Sequence, residues 1–140
     1  MKTTLSTSAL EKAIGQLTTS LEYLNSDLAK DVGLYAQFRS ASIQSFEYTY
    51  ELTHKLLKKY LQQTMPSREI VDEMTFSELI RTGYEKGLLG NSWDIWKEYR
   101  DARNRTSHTY QEALADDVVE ILPSFLLEAQ YLCHKIQKSI

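Results

Sequence analysis

Ser8-Ala9-Leu10-Glu11-Lys12-Ala13-Ile14-Gly15-Gln16-Leu17-Thr18-Thr19-Ser20-Leu21-Glu22-Tyr23-Leu24-Asn25-Ser26-Asp27-Leu28 places a branched apolar side chain at 10, 14, 17, 21, 24 and 28. Steps of four and three alternate, so all six fall on one face of a helix. Ser8 and Glu11 read as a capping box in front of it, and Gly33 as a break behind it. The same spacing returns near the end of the chain in Val118, Leu122, Phe125, Ala129, Leu132 and Ile136. Asp116 or Asp117 offers a start for that helix, and Pro123 inside the run is expected to kink it or to mark a late start. Between the two seams, Ile43, Phe46, Tyr50 and Leu57 share a face, with Tyr35, Phe38, Leu56 and Leu61 nearby. They predict a helix from about Leu34 to Gln62, roughly 43 Å long, ended by Met65-Pro66-Ser67.

The 67–74 connector gives no readable pattern. Thr75 with Glu78 is a second capping box, opening a short helix to about Lys86, with Gly87 or Gly90 as its C-terminal cap. Asn91 or Ser92 caps a fourth helix that runs to about Ser107, with Asp94 in its first turn, where a negative charge suits the helix dipole. Five Gly and two Pro in 140 residues are too few for a turn-rich β-sandwich. The expected fold is all-α, an antiparallel up-down bundle of four to five helices forming one domain over residues 1–140.

The charge of −3 argues against a general nucleic-acid coat protein. A nucleic-acid function would have to rest on a local basic cluster. Cys133 is the only cysteine, so neither an internal disulfide nor a cysteine-based zinc site is possible. Met1-Lys2-Thr3-Thr4 lacks the apolar run of a signal peptide, and no stretch approaches 18 apolar residues. A cytoplasmic protein is the expectation.

The fourth helix carries the chemistry. Ile95, Tyr99, Ala102 and Thr106 form one seam, small and apolar enough to face the core. Trp93, Trp96, Arg100, Arg103 and Ser107 form another that begins aromatic and turns cationic. Arginines continuing an apolar stripe are costly unless paired or facing a groove. Glu47 and Glu51 share a face of the second helix and are candidates to answer them. Arg100, Asn104 and His108 are successive i, i+4 neighbours. Arg103 and His108 lie roughly 140° apart on a continuous helix. Either the helix ends before His108, or each residue meets its counterpart across a two-fold dimer. An extended chain after His108 would point Tyr110 the same way.

A histidine moves protons near neutral pH. Arginines hold phosphate oxygens and stabilise charge developing on phosphorus. Asn104 can orient the imidazole or a ribose hydroxyl. With no metal-ligand set and no cofactor motif visible, the combination suits metal-independent RNA cleavage by the adjacent 2′-hydroxyl. The plainer alternatives are a helix-capping His108, ion-paired structural arginines, core tryptophans and a surface Tyr110. His54, His134 and Cys133 read as structural.

Arg103-Asn104-x3-His108-x-Tyr110 resembles the motif of HepT proteins within the HEPN superfamily. Phe76-Ser77-Glu78-Leu79-Ile80, Gly87-Leu88-Leu89, Trp93 and the Arg39 to Glu47 segment resemble the related nucleotidyltransferase substrate-binding family. The resemblance covers essentially the whole chain. It implies a five-helix bundle that dimerises with two motifs at a shared cleft, and a minimal nucleotidyltransferase as partner in a toxin–antitoxin pair. It further implies Arg103, Asn104 and His108 as nuclease residues acting on RNA, Arg100 as a supporting phosphate contact, and Tyr110 as acceptor of AMP. The alternative is a non-catalytic substrate-binding subunit.

Overall fold

The computed structural model describes residues 5–140; Met1 to Thr4, read above for the lack of an apolar leader, lie outside the described residues. Helix α1 spans Ser8–Leu24, a 3₁₀ turn Asp27–Lys30, α2 Val32–Thr64, α3 Arg68–Asp72, α4 Phe76–Glu85, α5 Trp93–Arg105, a second 3₁₀ turn Thr106–His108, and α6 Glu112–Ser139. Five helices have ten or more residues and α3 is a single short turn, so the all-α bundle expected from the seams is the fold observed. None of these helices is long and apolar enough to cross a membrane.

The long helices alternate in direction. Tyr23 stacks on Phe38 at 5.3 Å and the Thr49 hydroxyl reaches the Ala13 carbonyl at 3.4 Å, so α1 and α2 run antiparallel. Phe46 packs edge-on to Phe125, and Arg39 pairs with Asp116, which makes α2 and α6 parallel. Trp96 bonds Glu128 while Tyr99 bonds Ser124, so α5 runs against α6. The C-terminus of α1, the N-termini of α2 and α6, and the C-terminus of α5 therefore share one end of the bundle. Both 3₁₀ turns lie at that end.

The predicted α6 seam is buried throughout: Val118, Leu122, Phe125, Ala129, Leu132 and Ile136 are at most 0% exposed. On α1, Leu10, Leu17, Leu21 and Leu24 are buried, but Ala13 replaces Ile14 as the fifth inward residue and Leu28 is exposed. The helix ends at Leu24 because Asn25 turns back to cap it, its amide donating to the Leu21 carbonyl. Gly33 is not the break. Asp31 accepts from the Leu34 N–H as the N-cap of α2, which places Gly33 inside the first turn. Thr7, not Ser8, is the N-cap of α1, and no side-chain capping bond forms there. The Thr75–Glu78 capping box is present as read. Gly87, at φ +77°, takes the left-handed conformation that closes α4. The connector contains α3, anchored by the buried Val71. α6 starts at Glu112, four residues ahead of Asp116 and well ahead of Pro123, so neither marks its start.

The centre is aromatic. Trp96 and Tyr99 of α5 meet Phe125 of α6 and, through Trp96, Tyr50 of α2, with centroids 5.2–6.3 Å apart. Into this core α6 projects one carboxylate. Glu128 is 2% exposed. It accepts from the Gly90 N–H at 2.8 Å, the Asn91 N–H at 2.9 Å and the Trp96 indole at 2.7 Å. Glu128→Ala would leave three donors without their acceptor, the buried Trp96 indole and the part-buried Gly90 and Asn91 amides. At about 1–3 kcal/mol for each orphaned group, a loss of roughly 3 kcal/mol or more is expected in denaturant unfolding.

Candidate functional site

Burial sets the rotation of α5. Trp96, Tyr99, Ala102 and Thr106 face inward. Of the two competing seams, the small apolar one is the core, joined by Trp96 from the other. Ile95 and Trp93 are only half-buried. Arg100, Asn104 and Ser107 consequently face solvent, and Arg103 lies sideways against α2.

The α-helix ends at Arg105 rather than Ser107 because hydroxyls take over its last carbonyls. Thr106 Oγ1 donates to the Arg103 carbonyl at 2.7 Å, Ser107 Oγ to that of Asn104 at 3.1 Å, and Thr109 Oγ1 to that of Thr106 at 3.1 Å. Each bond reaches back three residues, matching the tighter 3₁₀ geometry. The chain after His108 is not extended: Thr109 sits at φ −75°, ψ 0°. Even so, the rings of His108 and Tyr110 come within 6.2 Å, edge to face. Both residues are exposed, Tyr110 at 78%.

Arg103 is the best-held residue of the motif. Its Nη1 donates to Thr106 Oγ1 at 3.0 Å and lies 3.4 Å from Glu47 Oε2. Its Nε is sealed from solvent and faces Glu51 Oε1 at 3.4 Å without an aligned hydrogen bond. The two glutamates of α2 thus answer the arginine as their shared face predicts. Arg100 answers differently, its guanidinium lying 5.9 Å over the Phe76 ring. Phe76 in turn meets the edge of His54, whose pKa burial pushes down, and the edge of Trp93. Burial also pushes the neighbouring Tyr50 phenol up to about 12.

The structure brings His108 to Tyr110, and Arg103 to Glu47, Glu51 and Thr106. Among the described residues no hydrogen bond, ion pair or ring contact joins Arg103 to His108, and the Asn104 amide touches neither. The 3₁₀ turn explains the separation. With its larger step per residue, Arg103 and His108 point roughly 160° apart about the helix axis. Among the described residues, no group of three or more His, Cys, Asp or Glu could hold a metal ion.

One cluster beside the motif was not legible as such. Arg39, whose side chain is 12% exposed, pairs with Asp116 at 3.0 Å and with Glu112 at 3.9 Å. The Tyr35 hydroxyl donates to Asp116 at 2.9 Å, and Arg39 lies 5.4 Å over the Tyr35 ring. This fixes the start of α6 to α2. The segment bearing His108 and Tyr110 is therefore tethered on both sides.

A fold of this kind, with an Arg–His–Tyr motif at the end of its fifth helix, is that of a HepT-like bundle. A family model described as nucleotidyltransferase substrate binding protein like matches residues 5–138, and the chain belongs to that family. A Haemophilus influenzae relative named probable ribonuclease HepT is 34% identical over 99 residues, covering 71% of this chain and 67% of the relative. A solved Haemophilus influenzae structure, described as revealing the fold of a substrate binding domain of a nucleotidyltransferase, superposes with a TM-score of 0.83. It is 27% identical, over 94% of this chain and 99% of that one.

The Tyr35 hydrogen bond and the Arg39 guanidinium hold the Asp116 carboxyl below its ordinary pKa of 3.8. A depressed carboxylate stabilises the fold above its ordinary pKa, and that contribution is lost as pH falls through the lowered value. The melting temperature of the protein should therefore exceed that of Asp116→Asn at neutral pH, and the gap should close in acid. Because Asp116 is exposed, the difference should stay within about 1 kcal/mol.

Proposed function

We propose that this chain is the HepT-like subunit of a two-component system with a minimal nucleotidyltransferase, and that it is a metal-independent endoribonuclease silenced by AMP transfer to Tyr110. The protein acts as one domain, as a homodimer, in the cytoplasm. The observation that carries the reading is the exposed His108–Tyr110 ring pair, held on a tethered turn next to the half-buried Arg103. The relative named as a probable ribonuclease and the solved structure described as a nucleotidyltransferase substrate binding domain support the two halves of the proposal.

In the cleavage step the ribose 2′-oxygen attacks the adjacent phosphorus and the 5′-oxygen leaves, giving a 2′,3′-cyclic phosphate and a 5′-hydroxyl. Histidine handles the protons of that exchange. Arg103, supported by Arg100, stabilises the charge on the phosphoryl oxygens, and Asn104 contacts the ribose or the imidazole. Since Arg103 and His108 diverge within one chain, a second copy supplies the complementary half of each site. In the silencing step the Tyr110 hydroxyl attacks the α-phosphorus of ATP and pyrophosphate leaves. The tyrosyl-AMP then puts negative charge beside His108, where RNA phosphate would sit.

The separation of Arg103 from His108 also favours a second reading, a non-catalytic subunit that presents substrate to the nucleotidyltransferase. Cleavage of a labelled mixed RNA in EDTA decides between them. Wild-type protein is expected to leave cyclic phosphate ends, and His108→Ala, with an unchanged circular dichroism spectrum, to lose at least about 10²-fold in rate. Equal cleavage by both proteins would remove the nuclease role of His108, and cleavage by neither would leave the substrate-binding subunit. On co-expression with the nucleotidyltransferase, intact-mass measurement should show one added AMP unit, which Tyr110→Phe abolishes.

A further inference from the structure

Two carboxylates face one guanidinium at Arg103, an unequal match. Both ion-pair distances are 3.4 Å, longer than the 2.7–2.9 Å usual for charge-assisted hydrogen bonds. The Arg103 side chain is 31% exposed, against 37% for Glu47 and 52% for Glu51. Loose, partly solvated pairs of this kind are weak. Both glutamates are partly exposed and neither belongs to the apolar core, so each can turn towards water while Thr106 keeps its hold on Nη1; departure of Glu51 leaves the sealed Nε for the incoming phosphate to answer. A phosphate group approaching Arg103 meets this surplus negative charge first. Arg100, on the adjoining turn of α5, lies exposed over Phe76 and has no carboxylate partner among the described residues.

We propose that Glu47 and Glu51 are internal anions that occupy Arg103 and must be displaced by an incoming phosphodiester, so that the site excludes single phosphates. A polynucleotide strand meets the requirement differently. It engages the unpaired Arg100 with one phosphate while a neighbouring phosphate displaces the glutamates from Arg103. Free phosphate and mononucleotides have no such second foothold, and the site is thereby tuned to chains. The strand-binding half of this inference rests on the nuclease reading; the restraint on Arg103 does not.

The test uses His108→Ala protein, so that RNA is not consumed. Inorganic phosphate is titrated while the Arg103 Nε–H resonance and the backbone amides of residues 100–108 are followed by NMR, the latter serving the Arg103→Gln variant, and a short single-stranded RNA is titrated by fluorescence anisotropy. Adding Glu47→Gln and Glu51→Gln should tighten phosphate binding on the order of tenfold, and Arg103→Gln should erase the gain. Glu51→Gln alone, at the more exposed position, should give part of the gain and covers the case in which the combined variant folds poorly. Phosphate binding that is unchanged by the glutamine substitutions, or a gain that survives Arg103→Gln, would overturn the proposal. If the gain appears but no variant binds the RNA, the restraint on Arg103 stands and the nuclease reading falls. Strand binding by the His108→Ala protein at phosphate concentrations that leave its Arg103 resonance unmoved supports both.

Discussion

The buried carboxylate of Glu128, projecting from α6, sets the geometry of α5. Burying an ionised group this deeply is unfavourable unless its lone pairs are satisfied. The donors are two backbone amides of the α4–α5 loop and the indole of Trp96. Burial raises the pKa of Glu128 in spite of those bonds, so the desolvation cost is real and the bonds are what make the position tolerable. The loop must bring Gly90 very close, since a Cβ there would lie 3.2 Å from the Glu128 oxygen. The Asn91 amide, one residue on, reaches the Tyr99 hydroxyl, which is shared with Ser124. Loop, Trp96 and Tyr99 are thus bound to α6 as one polar unit inside an aromatic core. That unit fixes the rotation of α5 about its axis.

Once α5 is locked in rotation, the character of its surface follows from arithmetic. Residues a turn away from Trp96 and Tyr99 cannot choose their direction. Arg103 is driven against α2, where only a carboxylate partner makes a half-buried guanidinium acceptable. Arg100 is carried out over the Phe76 ring. The hydroxyls of Thr106, Ser107 and Thr109 then end the helix by taking its free carbonyls, and the chain turns so that His108 and Tyr110 emerge together. Arg39 and Asp116 hold the far side of that turn. The exposed pair is therefore positioned by the buried Glu128 unit on one flank and the Arg39–Asp116 contact on the other, with the Arg103 and Asn104 carbonyls accepting the hydroxyls that end the helix.

The seams of α2 and α6 were legible because period and burial coincide over many turns, although α2 also turns Ser42, Thr49 and Thr53 inward and α6 leaves Leu127 on its outer face. The Thr75 capping box was legible because it is local. What was not legible depended on partners distant in sequence. Asp116 read as a helix start because acidic residues favour that position. In the fold its carboxylate belongs to Tyr35 and Arg39, about eighty residues earlier. Ser8 with Glu11 matched the capping pattern, but the chain enters α1 one residue earlier, at Thr7. Glu128 gave a signal that went unused: an acid three residues after Phe125 and four before Leu132, on the inward face of an otherwise apolar seam. The chemistry of Arg103, Asn104 and His108 was read from residue type and spacing, the motif that joins them to Tyr110 from the family resemblance, and Glu47 and Glu51 from their shared face. The divergence of Arg103 and His108 was already legible from their spacing of five on a helix; the 3₁₀ turn that carries His108 was not.

The bundle is acidic overall, yet it keeps arginines near its core. That is consistent because each is answered locally and in a different manner. Arg39, its own side chain mostly buried, is tied to exposed carboxylates on the first turns of α6 and lies over the Tyr35 ring, so removal of Asp116 would leave it only Glu112 at 3.9 Å. Arg103 is answered by two carboxylates at loose distance on a half-open surface, and Arg100 by an aromatic face alone. The three cations thus grade from fixed to available along the α2 side of the molecule. A structural ion pair gains from close approach and burial; a ligand-binding cation must be able to change partners at little cost. Arg39 meets the first requirement, whereas Arg103 and Arg100 meet the second. This physical difference, more than the presence of arginine itself, separates the arginine of α2 that holds the fold together from the two of α5 whose partners are loose or aromatic.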